Sequence, residues 1–126
     1  MNKIAIFISI SIVLLSIMYS QKIHNHGAKI YFNDAVKVKM VDIEFVNDDN
    51  GNVTIREASQ VRLEGGNLSN ENGYILITEA SIIQTTENLI NKGTFFNDEL
   101  SFTIVFKNVV NYGTINNEHI IEIGED

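Results

Sequence analysis

The sequence predicts an all-β chain wound as a short parallel β-solenoid of about four to five coils. Three observations carry this expectation. Glycines recur at Gly27, Gly51, Gly73, Gly93 and Gly113, with spacings of 24, 22, 20 and 20 residues. The letters around them recur too: Asn67-Leu68-Ser69-Asn70, Asn88-Leu89-Ile90-Asn91 and Asn108-Val109-Val110-Asn111 each precede a glycine. Finally, short runs such as "NVTI", "QVRL" and "IIEI" alternate with the two-residue period of a strand, and no helical period is visible after residue 20.

The chain divides at about residue 20. "MNKIAIFISISIVLLSIMYS" places Lys3 ahead of an apolar run from Ile4 to Met18 and ends on the small residue Ser20. This pattern predicts a secretory signal peptide over 1–20, cut before Gln21. The alternative is an uncleaved anchor, but the run is shorter than the ~20 apolar residues of a spanning helix. Residues 21–126 are then expected to be one β-solenoid repeat domain. Asn25-His26-Gly27 opens its first, looser copy with Ile30, Phe32, Val36 and Val38, and Gln21–Phe45 is expected to cap the N-terminal end.

In a parallel solenoid, equivalent residues of successive coils lie over one another at the strand spacing of about 4.8 Å. Val53, Ile75, Phe95 and Ile115, each two residues past its glycine, are expected to form one inward column, and Val46, Leu68, Leu89 and Val109 a second. Asn70, Asn91 and Asn111 are expected at corners, where amides stack up the ladder and where asparagine and glycine tolerate a left-handed backbone. A further triplet recurs as Glu57-Ala58-Ser59 and Glu79-Ala80-Ser81, more loosely as Glu99-Leu100-Ser101. The alternative fold is an antiparallel β-sandwich in which Asn-Gly marks hairpins. Recurrence of residue identity, and not of turn residues alone, favours the solenoid.

Beyond residue 20, sixteen acids face eight bases, a net charge of −8. Such a surface repels nucleic acid, whose binding rests on Lys and Arg neutralising phosphates. It also disfavours anionic membrane, so no stable membrane insertion is expected once the signal is cleaved. Cysteine is absent, which removes disulfides and thiolate metal sites; proline is absent, as long hydrogen-bonded ladders require.

Candidate chemistry is sparse. His24 and His26 share one face of an extended segment and have the donors of a metal site, but no third ligand lies near them in sequence, so none is expected. "NDDNGN" (47–52) carries calcium-type oxygens, yet the twelfth position from Asp48 is Ser59, so a polar turn is expected. Glu57 and Glu79 align in successive coils, where paired carboxylates repel rather than cooperate. Ser59, Ser69, Ser81 and Ser101 have no histidine at a catalytic spacing. Phe95 and Phe96 should face opposite sides, and an exposed row with Tyr74 and Phe96 would suit sugar stacking, though aromatics of this kind usually fill a solenoid core. Catalytic, cofactor-binding and metal residues are all expected to be none, and the chain is expected not to be an enzyme.

With "NHGAKI" at Asn25–Ile30, "NKGTFFN" at Asn91–Asn97 and "NYGTINN" at Asn111–Asn117, the chain resembles the N-terminal repeat regions of secreted and surface proteins of Bacteroidota, and more distantly filamentous-haemagglutinin-type β-helix repeats. The resemblance implies a secreted or cell-surface location and a structural or adhesin-like role. Cell-surface or extracellular glycan or protein would be the partner, with a carbohydrate-binding module as the alternative. Such proteins often end in a sorting domain, whereas this sequence ends in "IIEIGED", which leaves a short stand-alone relative or a truncated remnant as the two expectations.

Overall fold

The computed structural model describes residues 5–7 and 21–124. Among them there is no helix, and every paired strand is parallel to its neighbour. That pairing excludes the antiparallel sandwich. Apart from Ala5–Phe7, the expected signal peptide lies outside the described residues. Ala5–Phe7 form β1.

Five coils of three strands follow. The first holds β2 (Gln21–His26), β3 (Lys29–Phe32) and β4 (Lys37–Val41). The second holds β5 (Ile43–Asp48), β6 (Asn52–Ile55) and β7 (Gln60–Glu64). The third holds β8 (Leu68–Asn70), β9 (Tyr74–Ile77) and β10 (Ile82–Thr85). The fourth holds β11 (Leu89–Asn91), β12 (Thr94–Asn97) and β13 (Phe102–Val105), and the fifth β14 (Val109–Asn111), β15 (Thr114–Asn117) and β16 (Ile120–Ile123). Stacking produces three sheets, ordered β2-β5-β8-β11-β14, β1-β3-β6-β9-β12-β15 and β4-β7-β10-β13-β16. The segment Gln21–Phe45 is therefore not a cap: it is the first regular coil and the beginning of the second.

The first expected column is present and gains a member. Ile30, Val53, Ile75, Phe95 and Ile115 are successive partners in register, and the first four are at most 3% exposed. The second column is shifted by one residue. Leu68 pairs with Phe45, so the column runs Ile23, Phe45, Leu68, Leu89, Val109. Val46 pairs with Ser69 and lies outside the core cluster. Strand alternation explains this: with Phe45 and Asn47 turned inward, Val46 must face out.

A ladder of asparagines runs beside these columns. Asn25 Nδ2 donates to Asn47 Oδ1 at 2.7 Å, Asn47 to Asn70 at 2.9 Å, Asn70 to Asn91 at 2.8 Å and Asn91 to Asn111 at 2.9 Å. Each amide also donates to a carbonyl of its own turn, such as Gly73 O for Asn70 and Gly93 O for Asn91. The first four side chains are at most 2% exposed, so a buried polar group is satisfied in each of the first four coils, while Asn111 in the fifth is exposed.

The corners differ from expectation in their backbone. Asn70, Asn91 and Asn111 end strands β8, β11 and β14 and are not left-handed. Gly51, Gly73, Gly93 and Gly113 do not have positive φ either. Close approach makes them glycine: a Cβ on Gly93 would lie 2.3 Å from Gly73 O, and one on Gly113 2.2 Å from Gly93 O. The recurrent left-handed positions are instead the acid–alanine pairs Asp34-Ala35, Glu57-Ala58 and Glu79-Ala80, with φ between 56° and 60°; of the repeat's glycines only Gly27, at φ 74°, is left-handed, and Asp42, Asp49, Asn50 and Gly65 add further turns.

Two left-handed residues in a row turn successive N–H groups toward one side, a concavity suited to an anion. The next coil fills it. Asp34 N donates to the Glu57 carboxylate at 2.8 Å, Ala35 N to Glu57 O at 2.8 Å, and Val36 N to Ser59 Oγ at 3.2 Å. One coil later, Glu57, Ala58 and Ser59 donate to the Glu79 carboxylate, Glu79 O and Ser81 Oγ. The recurrent Glu-Ala-Ser is thus an interlocking corner.

Candidate metal centre

β2 and β5 pair over six residues, from Gln21↔Ile43 to His26↔Asp48. Asn25 points into the ladder, so His24 and His26 both face outward. The register sets Val46 beside His24 and Asp48 beside His26. Asp48 closes the constellation. Its Oδ2 meets His24 Nε2, and its Oδ1 lies 2.8 Å from His26 Nδ1. The donor atoms of His24, His26 and Asp48 all fall within 4.8 Å of one another. The imidazoles meet edge to face, with centroids 5.8 Å apart at 81°.

More oxygen lies around this group. Asp49 Oδ2 is 3.4 Å from His26 Nε2. An open depression beside the cluster is lined by His26, Asp48, Asp49, Glu71 and Asn72. Glu71 is paired with Lys92 at 3.1 Å. Asp48 is held below the usual carboxylate range, first by its hydrogen bond with His24 and also by that with His26. The hydrogen bond with Asp48, then the charges of Asp49 and Asp48, raise His26 above the ordinary imidazole value.

The sequence places His24 and His26 together but not Asp48, which is 22 residues beyond His26. A signal for it exists. Extending the asparagine repeat back from Asn70 to Asn47 and Asn25 aligns His26 with Asp48. Asn47 is the member that hides this alignment: it stands four residues before its glycine, whereas Asn25, Asn91 and Asn111 stand two and Asn70 three.

The remaining candidates take structural places. "NDDNGN" is the turn after β5, with Asp49 and Asn50 left-handed. Glu57 and Glu79 sit on the surface, but their carboxylates are engaged by backbone N–H groups of the preceding coil. Ser59, Ser81 and Ser101 are fully buried with Oγ accepting from backbone; Ser69 is buried and its Oγ lies 3.5 Å from Glu44 Oε1. Phe95 is inside and Phe96 half-buried outside. Tyr74 pairs with Thr94 and Phe96 with Leu76, so Tyr74 and Phe96 stand in adjacent columns and not in one row.

The class this geometry defines is a three-sided parallel β-solenoid with one His₂-carboxylate cluster on its outer face among the described residues. Protein-family models, curated proteins and solved structures offer no match to the chain.

Proposed function

We propose that the chain is an exported structural module, adhesin-like and non-catalytic, that presents the outer faces of its solenoid at the cell surface or outside the cell. The observation that supports this reading most is the unbroken register of five coils. It repeats outward side chains at about 4.8 Å along a rigid axis, a linear array suited to an extended partner. The likeness of "NKGTFFN" and "NYGTINN" to Bacteroidota surface repeats belongs to the same reading. Nucleic acid is a poor partner: Lys39 and Arg62, on the outer face of β4 and β7, are both paired with Glu64, at 3.1 and 3.0 Å. Fractionation of the native host tests the proposal. The protein is expected in outer-membrane or culture fractions, and recovery from the cytosol alone rejects it.

A carbohydrate-binding role is the second reading, favoured by the exposure of Tyr74 (37%) and Tyr112 (75%). Against it, Tyr31 on the same sheet is covered by Arg56, whose guanidinium carbon sits 4.9 Å from the ring centroid. A glycan array lacking any signal above background disposes of this reading.

A further inference from the structure

We propose that His24, His26 and Asp48 form a binding site for a divalent first-row transition-metal ion, with Zn²⁺ as the reference cation. This is independent of the adhesin-like reading. The donor set is two imidazole nitrogens and a carboxylate, which suits Zn²⁺, Ni²⁺ or Cu²⁺ and not the oxygen-seeking Ca²⁺ or Mg²⁺. The three side chains come from paired strands whose register is fixed across six residues, so the backbone cost of gathering them is met by folding. His24 presents Nε2 and His26 presents Nδ1 to the same carboxylate. A cation between them takes the place that a proton otherwise holds.

A second feature points the same way. When Nδ1 of a histidine is the ligand, its Nε2–H needs an outer acceptor to hold the ring. Asp49 Oδ2 stands 3.4 Å from His26 Nε2, an ion-pair distance from which a small side-chain rotation reaches that role. The open depression on the Glu71 side leaves a path for the ion and room for water in the remaining coordination position. The net charge of −7 raises the local cation concentration. His119 is a built-in control: it packs edge to face on Phe102, at 4.7 Å and 84°, in the last coil.

The test uses the full chain carrying a tag without histidines, titrated with Zn²⁺ against a chromophoric chelator at neutral pH. One ion per chain is expected. His24→Ala, His26→Ala and Asp48→Asn should each weaken binding at least about tenfold, and Asp49→Asn by about tenfold. His119→Ala should leave it unchanged. Circular dichroism of each variant confirms that the solenoid is intact. On the unaltered chain, Zn²⁺ should shift the NMR imidazole signals of His24 and His26 but not those of His119. Absence of Zn²⁺ binding, binding indifferent to His24→Ala and His26→Ala, or equal affinity for Ca²⁺ overturns the proposal.

Discussion

Asn70 Nδ2 donates to Asn91 Oδ1 at 2.8 Å across a coil boundary, and both side chains are fully buried. Asn70 also donates to Gly73 O at 3.1 Å and Thr94 O at 3.1 Å, and accepts from Asn47. One side chain therefore ties three coils. Asn70→Leu keeps the volume but removes the donor to Asn91 Oδ1 and the acceptor of Asn47 Nδ2 in a site water does not reach, although Gly73 O keeps the N–H of Thr94 at 3.0 Å. Each orphaned group costs about 1–3 kcal/mol, so the variant should lose about 3 kcal/mol or more. Asn111 ends the same ladder but is exposed, and water replaces its partners; Asn111→Leu should cost less than about 1 kcal/mol. Urea denaturation of both variants checks the contrast.

Gly93 tests the reason for the glycine repeat. Its φ is not positive, so backbone freedom is not the constraint. A Cβ there would stand 2.3 Å from Gly73 O and 2.8 Å from Asn70 Nδ2. Gly93→Ala must push coils three and four apart at a corner. A destabilisation of about 1–3 kcal/mol is expected, as for overpacking elsewhere. Lys92→Ala, at the exposed neighbouring position, should fall within about 0.5 kcal/mol of the parent. Thermal unfolding of the pair separates a steric corner from a merely flexible one.

The repeat made the coils readable because stacking demands the same residue type at the same place in each turn. Val53, Ile75, Phe95 and Ile115 fell in register on that ground alone. Counting back from the glycines failed at Phe45, since the Asp49-Asn50 turn lengthens that coil while Phe45 and Val46 are both apolar. The Glu-Ala-Ser corners were visible as letters but not as conformation: alanine rarely takes positive φ, and the groups that stabilise it come from the following coil. The His24–His26–Asp48 cluster failed to show for the same reason, because its third member depends on exact register between coils one and two.

Asp98 predicts part of the acid response. Burial alone would raise its pKa and is the largest single influence. It is outweighed by hydrogen bonds from Thr78, Ser101 and the N–H groups of Glu79 and Leu100, which leave the pKa lowered. The folded value thus lies below the unfolded one, and the unfolded chain binds the proton more readily. The contribution to stability is complete above the unfolded value of about 3.9 and fades as pH falls through the folded value. Asp98→Asn should unfold more easily than the parent at pH 7, with the difference shrinking toward pH 3. A pH series of urea midpoints tests this, and a constant offset at all pH values contradicts it.

Ala58 offers a gain of stability. Its φ is +58°, it is exposed, and its N–H donates to Glu79 O at 2.9 Å. A left-handed backbone costs a non-glycine residue about 1–2 kcal/mol. Glycine removes that cost, keeps the N–H, and returns about 0.5–1 kcal/mol of unfolded-chain entropy. Ala58→Gly should therefore stabilise by about 0.5–1 kcal/mol, and Ala80→Gly, at φ +60°, by a similar amount. Leu100 holds the corresponding place one coil on, but the residues with positive φ do not include it. Leu100→Gly should bring no gain, because glycine then adds only its entropic cost. Equal responses at positions 58 and 100 in chemical denaturation contradict this account of the corner.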